Sequence, residues 1–428
     1  MRFLTAEKIS EYVSNCILSG VIDTKTDTSF VLYDFDLLKH KIKSIQQAFP
    51  ESSAHTTAIK ANPVLKINQK INELGSGFGA EVASEGEIHL ALKAGFKSGQ
   101  IVFDSPVKTI GELTFALQNN IHINADSLME IYRIAKIKES VTSHSKIGLR
   151  INPQVGAGKI ELTSVADEYS KFGVPIGLYK TEIIEAFKKY NWLNGLHLHI
   201  GSQGCHMDLL LNGISKALHL IVEINKNIKN NNRQIEFLDI GGGLPVSYHS
   251  SVEPPDIKIY ANQINDLIEK NNLEGLKLIT EFGRYLHANA GCIVSKVEYV
   301  KHYESSNTLM IHSGADIMLR ECLNPGNWYH EFTLLGKNGK LKTSDKTLKY
   351  TIAGPLCFAG DIVGKNIELP LADEGDYLVI HDTGGYTFSM WSKYVNRLFP
   401  KIIGVENSNF NILVNRETID DILHFWSR

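Results

Sequence analysis

The sequence lacks several features that would restrict its function to particular classes of protein. Its five cysteines are odd in number and scattered without a CxxC pair, so they indicate neither a disulfide framework nor a zinc site. No apolar run would span a bilayer, and the first residues lack the apolar core of a signal peptide. The formal net charge is only -3 with acids and bases interspersed, which gives no footprint for nucleic acid or an anionic membrane. We therefore expect a cytoplasmic protein that binds neither.

The first two thirds of the chain alternate short apolar runs with longer amphipathic stretches. The 428 residues are enough for two domains. Eight runs have the length and composition of strands: 56–60, 80–83, 101–103, 121–125, 147–151, 196–200, 235–240 and 276–281. Between them apolar residues recur every three to four positions, as in Ile67, Ile71 and Leu74. This alternation favours a parallel (β/α)8 barrel over an open doubly wound sheet.

After residue 288 the pattern changes to closely spaced strands separated by Gly, Asn and Asp clusters. The predicted strands are 293–300, 308–311, 331–335, 348–352, 377–381 and 410–414. Such spacing is typical of an all-β sandwich or small barrel, with which the strand-like segment 30–33 could pair. We predict an N-terminal segment 1–35 contributing to the β domain, a barrel over 36–287 and a C-terminal β domain over 288–428. The polar run 225–232 is predicted to be a helix end or loop.

The carboxyl ends of the predicted barrel strands carry chemically active side chains, and active sites of such barrels form at this end. These residues are Lys60, Ser84, Glu85, Glu87, Arg150, Asn152, His197, His199, Ser202, Gly241, Gly242, Gly243, Glu281 and Arg284. Singly, each has a structural explanation: His197 could be a satisfied core histidine, and Glu281 with Arg284 a surface ion pair. Their convergence on one face of a barrel predicts a functional site.

The residue types at these strand ends fit one kind of cofactor. A desolvated lysine such as Lys60 can act as an amine nucleophile that forms a Schiff base with a carbonyl group. Three successive glycines let backbone N–H groups approach a phosphate. A carboxylate can keep a pyridine nitrogen protonated, and an imidazole can stack on the ring. Together these groups describe a site for pyridoxal 5'-phosphate.

A family resemblance covers roughly residues 30–415, and seven motifs carry it. They are AIKANP at 58–63, EVASEGEI at 81–88, GLHLHIGSQ at 195–203, LDIGGGLP at 238–245, EFGRY at 281–285, GPLCFAGD at 354–361 and DTGGYTFSM at 382–390. The sequence resembles the fold type III pyridoxal-phosphate decarboxylases of the diaminopimelate, ornithine and arginine decarboxylase family, and the diaminopimelate branch most. The resemblance implies an alanine-racemase-like barrel with a β domain, an amino-acid substrate and a homodimer with shared sites.

The resemblance also implies a role for each matching residue. Lys60 would form the Schiff base, His199 would stack on the cofactor ring, and Glu281 would pair with the pyridine nitrogen. Around the phosphate would lie Ser202, Gly241, Gly242, Gly243, Gly283, Arg284 and Tyr386, the last two also near the substrate. Cys357 would reach the site from the second subunit of a head-to-tail dimer and return the proton to Cα. A lone cysteine in a strand-rich domain is more often a buried small hydrophobe, but the motif with Asp361 four residues on favours the catalytic role.

Departures from the family pattern concern the substrate. The acid that follows the cysteine in relatives is Phe358 here, and a tyrosine expected four residues after Arg320 is Asn324. Arg320 itself matches the arginine that binds the distal carboxylate in the diaminopimelate branch. Without the acid, a buried distal ammonium would lose its counter-charge, at a cost of roughly several kcal/mol. We therefore predict decarboxylation of an amino acid with an acidic, bulkier and partly apolar distal group.

Three alternatives remain at the level of sequence. The protein could be a genuine meso-diaminopimelate decarboxylase of lysine biosynthesis, with Arg320 in a structural salt bridge and another residue supplying the acid. It could be a racemase or lyase on the same fold, which would leave the substrate carboxylate in place and would not need Cys357. It could also be a catalytically silent homologue that binds a partner protein, although Lys60, Glu281 and Cys357 argue against that.

Overall fold

The computed structural model describes residues 4–160, 164–167, 170–228 and 234–428, which form two compact units. The barrel unit comprises the described residues of 41–246 and 254–285. The β unit comprises the described residues of 1–40, 247–253 and 286–428. The polar run 225–232 is helical up to Ile228, and its remainder lies outside the described residues. Among the described residues, no helix combines the length and apolar character needed to cross a membrane.

The elements follow one another along the chain in this order. They are α1 (Ala6–Leu18), β1 (Ser29–Asp34), α2 (Phe35–Ala48), β2 (Ala54–Ala58), α3 (Leu65–Leu74), β3 (Gly79–Val82), α4 (Glu85–Lys93), β4 (Ile101–Asp104), α5 (Ile110–Gln118), β5 (His122–Ala125), α6 (Leu128–Lys138), β6 (Ile147–Asn152), β7 (Val174–Pro175), α7 (Ile176–Lys189), β8 (Leu193–His197), α8 (Met207–Ile228), β9 (Phe237–Asp239), α9 (Ile257–Lys270), β10 (Lys277–Phe282), α10 (Arg284–His287), β11 (Gly291–Tyr303), β12 (Ser306–Ile311), α11 (Leu319–Leu323), β13 (Phe332–Leu335), β14 (Thr347–Ala353), β15 (Ile362–Pro370), β16 (Tyr377–Ile380), β17 (Lys401–Glu406), β18 (Asn409–Val414) and α12 (Ile419–Trp426).

The barrel unit is a closed ring of eight parallel strands. Their order is β2-β3-β4-β5-β6-β8-β9-β10, and β10 pairs with β2 to complete the ring. The short β7 adds to β6 at one side. All eight strands overlap the predicted apolar runs, so the predicted (β/α)8 barrel is confirmed. Parallel strands joined by helices place all eight carboxyl ends on one face.

Side-chain size explains how the barrel closes around its interior. The ring of Phe237 on β9 packs with Val102 and Ile279 inside the barrel. A Cβ at Gly195 would lie 2.1 Å from this ring, so only glycine leaves room for it there. Some of the helices begin at side-chain caps: Ser84 accepts a hydrogen bond from the backbone N–H of Glu87 at the start of α4. Of the polar residues predicted at the end of β3, Ser84, Glu85 and Glu87, at least Ser84 serves to cap a helix.

The β unit contains a nine-stranded, mostly antiparallel sheet. The main path is β15-β14-β12-β11-β1-β17-β18, while β16 pairs with both β11 and β13. All six predicted C-terminal strands are present, and β1, which contains residues 30–33, pairs with β11 and β17. Sequence analysis missed β15 and β17. Asn366 adopts a φ of 57° within β15 and Gly404 interrupts β17, so neither has a regular apolar alternation.

Candidate functional site

Lys60 lies at the carboxyl face of the barrel, in a 3-10 turn directly after β2. The strand ends at Ala58, so the prediction that Lys60 belongs to the strand is wrong by two residues. Its Nζ atom is 2.5 Å from Oε1 of Glu81 on the neighbouring strand β3. The lysine side chain is 42% exposed, whereas Glu81 is completely buried. Burial raises the pKa of Glu81, and the ammonium beside it acts in the opposite direction. The amine is therefore fixed by a buried partner while it remains accessible.

Glu281 ends its strand in a buried cluster of charged residues. Nε2 of His197, at the end of β8, is 3.7 Å from Oε2 of Glu281. Nδ1 of the same ring is 3.6 Å from Oδ1 of Asp104, at the end of β4. Arg150 on β6 donates hydrogen bonds to both oxygens of Asp104, at 3.2 and 3.1 Å. Burial, the largest single influence, would raise the pKa of Glu281, but His197 and the charge of Lys60 together outweigh it and the pKa is lowered.

The triglycine after β9 brings its backbone against two neighbouring segments. Gly241 and Gly243 have positive φ angles of 64° and 99°. A Cβ at Gly242 would lie 2.4 Å from the carbonyl oxygen of Glu281, and one at Gly241 would lie 2.6 Å from Nδ1 of His199. The backbone N–H of Gly242 donates to that Nδ1 at 3.2 Å. His199 follows β8 rather than ending it as predicted, and burial lowers the pKa of its ring to about 3. The ring is thus neutral and held by the glycine backbone.

Arg284 and Ser202, two of the predicted phosphate-binding residues, are in direct contact. Nε of Arg284 donates to Oγ of Ser202 at 3.1 Å. Both Glu281 and Arg284 are 5% exposed, so the alternative that they form a surface ion pair is wrong. Gly283 is buried between them in the chain.

Pyridoxal phosphate fits the donors and acceptors of this face. Oε1 of Glu281 is buried and has no hydrogen-bond partner among the described residues, so it leaves an acceptor for a pyridine N–H. Glycine at position 242 lets the loop after β9 pack directly against the backbone of Glu281, where a Cβ would collide with its carbonyl oxygen. An amine and a carboxylate acceptor, with a glycine-rich loop beside them, are groups that the cofactor requires.

Arg320, in the β unit, is held by aromatic rings. The centre of its guanidinium lies 4.6 Å from the ring of Trp328 and 4.8 Å from that of Tyr386. Its Nε atom donates to Sδ of Met390 at 3.1 Å. Asn324 caps the end of α11, where its backbone N–H donates to the carbonyl of Arg320 at 2.8 Å. Stacking on two rings fixes the plane of the guanidinium.

Cys357 and Phe358 lie in the loop between β14 and β15, and both are exposed. Asp361, in contrast, is buried. Its carboxylate accepts hydrogen bonds from the backbone N–H groups of Ala315 and Leu356, each at 2.6 Å. Asp361 therefore fixes the conformation of the loop that presents Cys357 and Phe358.

Sequence analysis gave no role to Glu81, Asp104 or Trp328. Glu81 stood inside a recognised motif, and Asp104 directly follows the predicted strand 101–103. An acid at the carboxyl end of a barrel strand was a sufficient signal for Asp104. No local signal could have identified Trp328, because its contact with Arg320 depends on the path of the chain after α11.

Comparison with known proteins identifies the family. A model described as the pyridoxal-binding domain of pyridoxal-dependent decarboxylases matches residues 35–288. The chain belongs to this family. Diaminopimelate decarboxylase from Campylobacter jejuni is 31% identical over 399 residues, which cover 92% of this chain and 95% of that protein. The Helicobacter pylori enzyme is 33% identical over 406 residues, which cover 92% and 94%.

Solved structures agree with the sequence relatives. Diaminopimelate decarboxylase from Helicobacter pylori, complexed with L-lysine, has a TM-score of 0.83 and 29% identity, with coverage of 96% of this chain and 98% of that one. A lysine/ornithine decarboxylase from Vibrio vulnificus shares the fold, with a TM-score of 0.75 at 21% identity and coverage of 92% and 98%. The predicted resemblance is confirmed: this protein is a pyridoxal-phosphate-dependent amino-acid decarboxylase. When bound, the cofactor accepts the electron pair released as the bond from Cα to the carboxylate breaks.

Proposed function

We propose that this decarboxylase acts on an amino acid whose distal end carries a carboxylate. In the proposal Lys60 attaches the cofactor, Glu281 pairs with its pyridine nitrogen and His199 stacks on its ring. The phosphate is bound by Ser202, Gly241, Gly242, Gly243, Gly283, Arg284 and Tyr386. The contact of Lys60 with buried Glu81 supports the first role, because it orients the amine before attachment. The unpartnered Oε1 of Glu281 among the described residues supports the second.

The substrate assignment depends chiefly on Arg320. A guanidinium stacked on Trp328 and Tyr386 offers a fixed planar fork, which matches a carboxylate. The residue after Cys357 is Phe358, where family members carry an acid that interacts with the distal end of the substrate. An exposed phenyl ring cannot balance an ammonium group. The preferred substrate class is therefore one with a distal anion, partly apolar where Phe358 contacts it.

A second candidate, meso-diaminopimelate, is favoured by the names of the relatives. All of the sequence relatives described above are diaminopimelate decarboxylases, and one solved relative is complexed with L-lysine. This substrate carries both a carboxylate and an ammonium at its distal end. If Arg320 binds the distal carboxylate of both substrates rather than forming a structural salt bridge, the two candidates differ only in whether the distal ammonium finds a counter-charge.

We also infer that the enzyme is a homodimer in which Cys357 of each chain serves the site of the other. The exposure of Cys357 on its loop supports this, because a side chain that must reach a second subunit cannot be buried in its own. In the proposal the thiol donates the proton that returns to Cα, and Arg284 and Tyr386 also contact the substrate. A cytoplasmic location remains a prediction from the sequence.

The deciding experiment compares 2-aminopimelate with meso-diaminopimelate, which differ only in the distal amine. Carbon dioxide release would be measured for both, and for lysine and ornithine, with the wild type and with Phe358→Glu. We expect the wild type to prefer 2-aminopimelate, and Phe358→Glu to shift the ratio of kcat/KM toward meso-diaminopimelate by about tenfold, as restoring one charge contact would. A wild type that prefers meso-diaminopimelate supports the second candidate instead.

The same assay separates the other classes of function. A racemase or lyase would consume substrate without releasing carbon dioxide from Cα, and it would tolerate Cys357→Ala. A silent homologue would fail to bind the cofactor, which absorbance and fluorescence of the purified protein would reveal. Either result would contradict the proposed reaction.

A further inference from the structure

His197 is a fully buried imidazole located between two carboxylates. Nδ1 faces Oδ1 of Asp104 at 3.6 Å, and Nε2 faces Oε2 of Glu281 at 3.7 Å. Neither ring nitrogen has a hydrogen-bond partner within the part of the chain that the structure describes. The two carboxylates are therefore the polar groups available to this ring, and both are buried as well.

The three side chains resemble a metal site in composition, but their surroundings argue otherwise. Their ligand atoms lie within 4.8 Å of one another. However, the guanidinium of Arg150 already binds both oxygens of Asp104. A divalent metal ion at this position would place two further positive charges beside that guanidinium in a buried environment, whereas a protonated imidazole would place one.

The number of N–H groups on the imidazole ring determines how many of the facing carboxylates it can donate to. A neutral ring donates from only one nitrogen and would turn a lone pair toward the other carboxylate. A ring with both protons donates toward Asp104 and Glu281 at once and brings a positive charge between two negative ones. Only a ring that carries both protons could therefore donate toward both facing carboxylates.

Glu281 has other acidic neighbours that oppose its ionisation. Asp239 is buried at the end of β9, where its Oδ1 accepts from the backbone N–H of Gly241 and its Oδ2 accepts from Nδ2 of Asn124, each at 3.0 Å. Burial, together with the charge of Glu281, raises the pKa of Asp239 well above its usual range. Several carboxyl groups thus share one small region, and a cation is needed if Glu281 is to be the one that stays charged.

We propose that Asp104 holds His197, as an imidazolium, against Glu281, and that this pair keeps Glu281 ionised and oriented toward the pyridine nitrogen of the cofactor. The inference rests on the proposed role of Glu281 as the partner of that nitrogen. His197 and Asp104 touch neither the substrate nor the cofactor in this proposal; they are positioning residues. An un-ionised Glu281 would carry no negative charge to stabilise a protonated pyridine nitrogen, so that nitrogen would lose its proton more readily and the ring would accept electrons less well.

The test measures the protonation of the cofactor in the holoenzyme. Asp104→Asn keeps the shape and polarity of the side chain but removes its charge, and His197→Gln removes the cation. With isotope-labelled cofactor, solid-state nitrogen NMR reports whether the pyridine nitrogen carries a proton. We expect a protonated signal in the wild type and an unprotonated one in both variants. We also expect kcat to fall about 10- to 100-fold with little change in KM, as for other outer-shell partners of active groups.

A matched control is His122→Gln. His122 is also a buried barrel histidine, but its Nε2 atom hydrogen-bonds Oδ1 of Asn124, 3.0 Å away. This variant should keep the protonated cofactor signal. Circular dichroism would confirm folding of every variant, and if Asp104→Asn fails to fold, His197→Gln alone decides.

Three results would overturn the inference or separate it from its premise. A protonated pyridine nitrogen in folded His197→Gln contradicts the role of His197. Stoichiometric Zn2+ binding by the wild-type holoenzyme that is lost in Asp104→Asn would show a metal site and contradict the inference too. A wild type whose bound cofactor has an unprotonated nitrogen contradicts the proposed role of Glu281 itself, before either positioning residue is considered.

Discussion

The barrel unit and the β unit hold their candidate site residues in different ways. In the barrel unit each group is fixed by a buried neighbour: Lys60 by Glu81, Glu281 by His197, and His199 by the backbone of Gly242. In the β unit Cys357 and Phe358 are exposed on a loop, and Arg320 is held by the faces of aromatic rings. The first arrangement is preorganised for a single geometry. The second presents its groups on an exposed loop and against aromatic faces rather than among buried charges.

This difference assigns separate tasks to the two units. Chemistry common to all substrates requires fixed charges and a fixed cofactor, and buried partners supply these. Discrimination among substrates requires only a few groups at the distal end, which a loop and a short helix can present. Substitutions in the barrel unit should therefore alter turnover of every substrate, whereas those at Phe358 or Arg320 should alter their ranking.

The largest effect is expected for Lys60→Ala. Loss of the amine should abolish covalent attachment of the cofactor and lower kcat on the order of 10^5-fold, as removal of other covalent catalysts does. Absorbance would report attachment, and carbon dioxide release would report turnover. Lys66→Ala, an exposed lysine in α3, is the matched control and should behave as wild type. Turnover within about tenfold of wild type in Lys60→Ala would contradict its assignment.

Cys357→Ala tests the β unit with the next largest effect. Without the thiol the proton must reach Cα from water, so kcat should fall about 10²- to 10⁴-fold, the usual range for a positioned acid. Cofactor affinity should not change, because Cys357 is not among the proposed cofactor contacts. Cys322→Ala is the control, since Cys322 is a buried thiol in α11 with a pKa raised to about 12 by burial. Equal losses in the two variants would indicate a structural role for both.

Gly242→Ala should weaken binding of the cofactor in the barrel unit. The added Cβ would lie 2.4 Å from the carbonyl oxygen of Glu281, so the backbone must shift. Overpacking of this kind costs about 1–3 kcal/mol, which corresponds to about 5- to 150-fold in Kd. A fluorescence titration with the cofactor measures this Kd. Gly99→Ala, with no atom within 4 Å of its added Cβ, should leave Kd unchanged. An unchanged Kd for Gly242→Ala would contradict the proposed role of Gly242 in cofactor binding.

Strands and the residues at their ends could be predicted from the sequence, whereas contacts between distant side chains could not. The barrel strands were predictable because parallel buried strands read as apolar runs, and their ends revealed Lys60, Glu281 and the triglycine. The pairing of His197 with Asp104 could not be predicted, because it joins side chains from strands that are far apart in the sequence. Trp328 likewise approaches Arg320 only through the fold after α11. The position of a residue at the end of a strand can be predicted from the residues around it in the sequence. The partner of a buried charged group cannot, because it depends on the tertiary fold.

The smallest effect concerns a buried pair in the β unit that takes no part in the proposed chemistry. Nε2 of His330 is 3.0 Å from Oε1 of Glu321, and Nδ1 is 2.6 Å from the carbonyl oxygen of His381. Burial alone would lower the pKa of His330, but Glu321 outweighs it and the pKa is raised. Burial would raise the pKa of Glu321, but His330 outweighs it and that pKa is lowered.

The signs of these shifts define a pH window for stability. Because the pKa of His330 is raised in the folded protein, His330 stabilises the fold fully at pH values below its ordinary pKa of 6.5. This contribution is lost as pH rises through the pKa that His330 has in the folded protein. The lowered pKa of Glu321 stabilises the fold above 4.5 and is lost as pH falls through its folded value. The pair therefore contributes most between these ordinary values, by about 1.5 kcal/mol.

His330→Gln should remove the part of this dependence that lies above pH 6.5. Thermal unfolding of the wild type should show Tm falling with rising pH by about 2–4 °C per kcal/mol of the contribution, and the variant should show a flatter profile. His302→Gln, an exposed histidine in β11, should keep the wild-type slope. Carbon dioxide release at pH 6 should be the same for all three proteins, provided that they are folded. A change in turnover with His330→Gln would show that the β unit also fixes catalytic geometry through buried charges, and the contrast with the barrel unit would no longer hold.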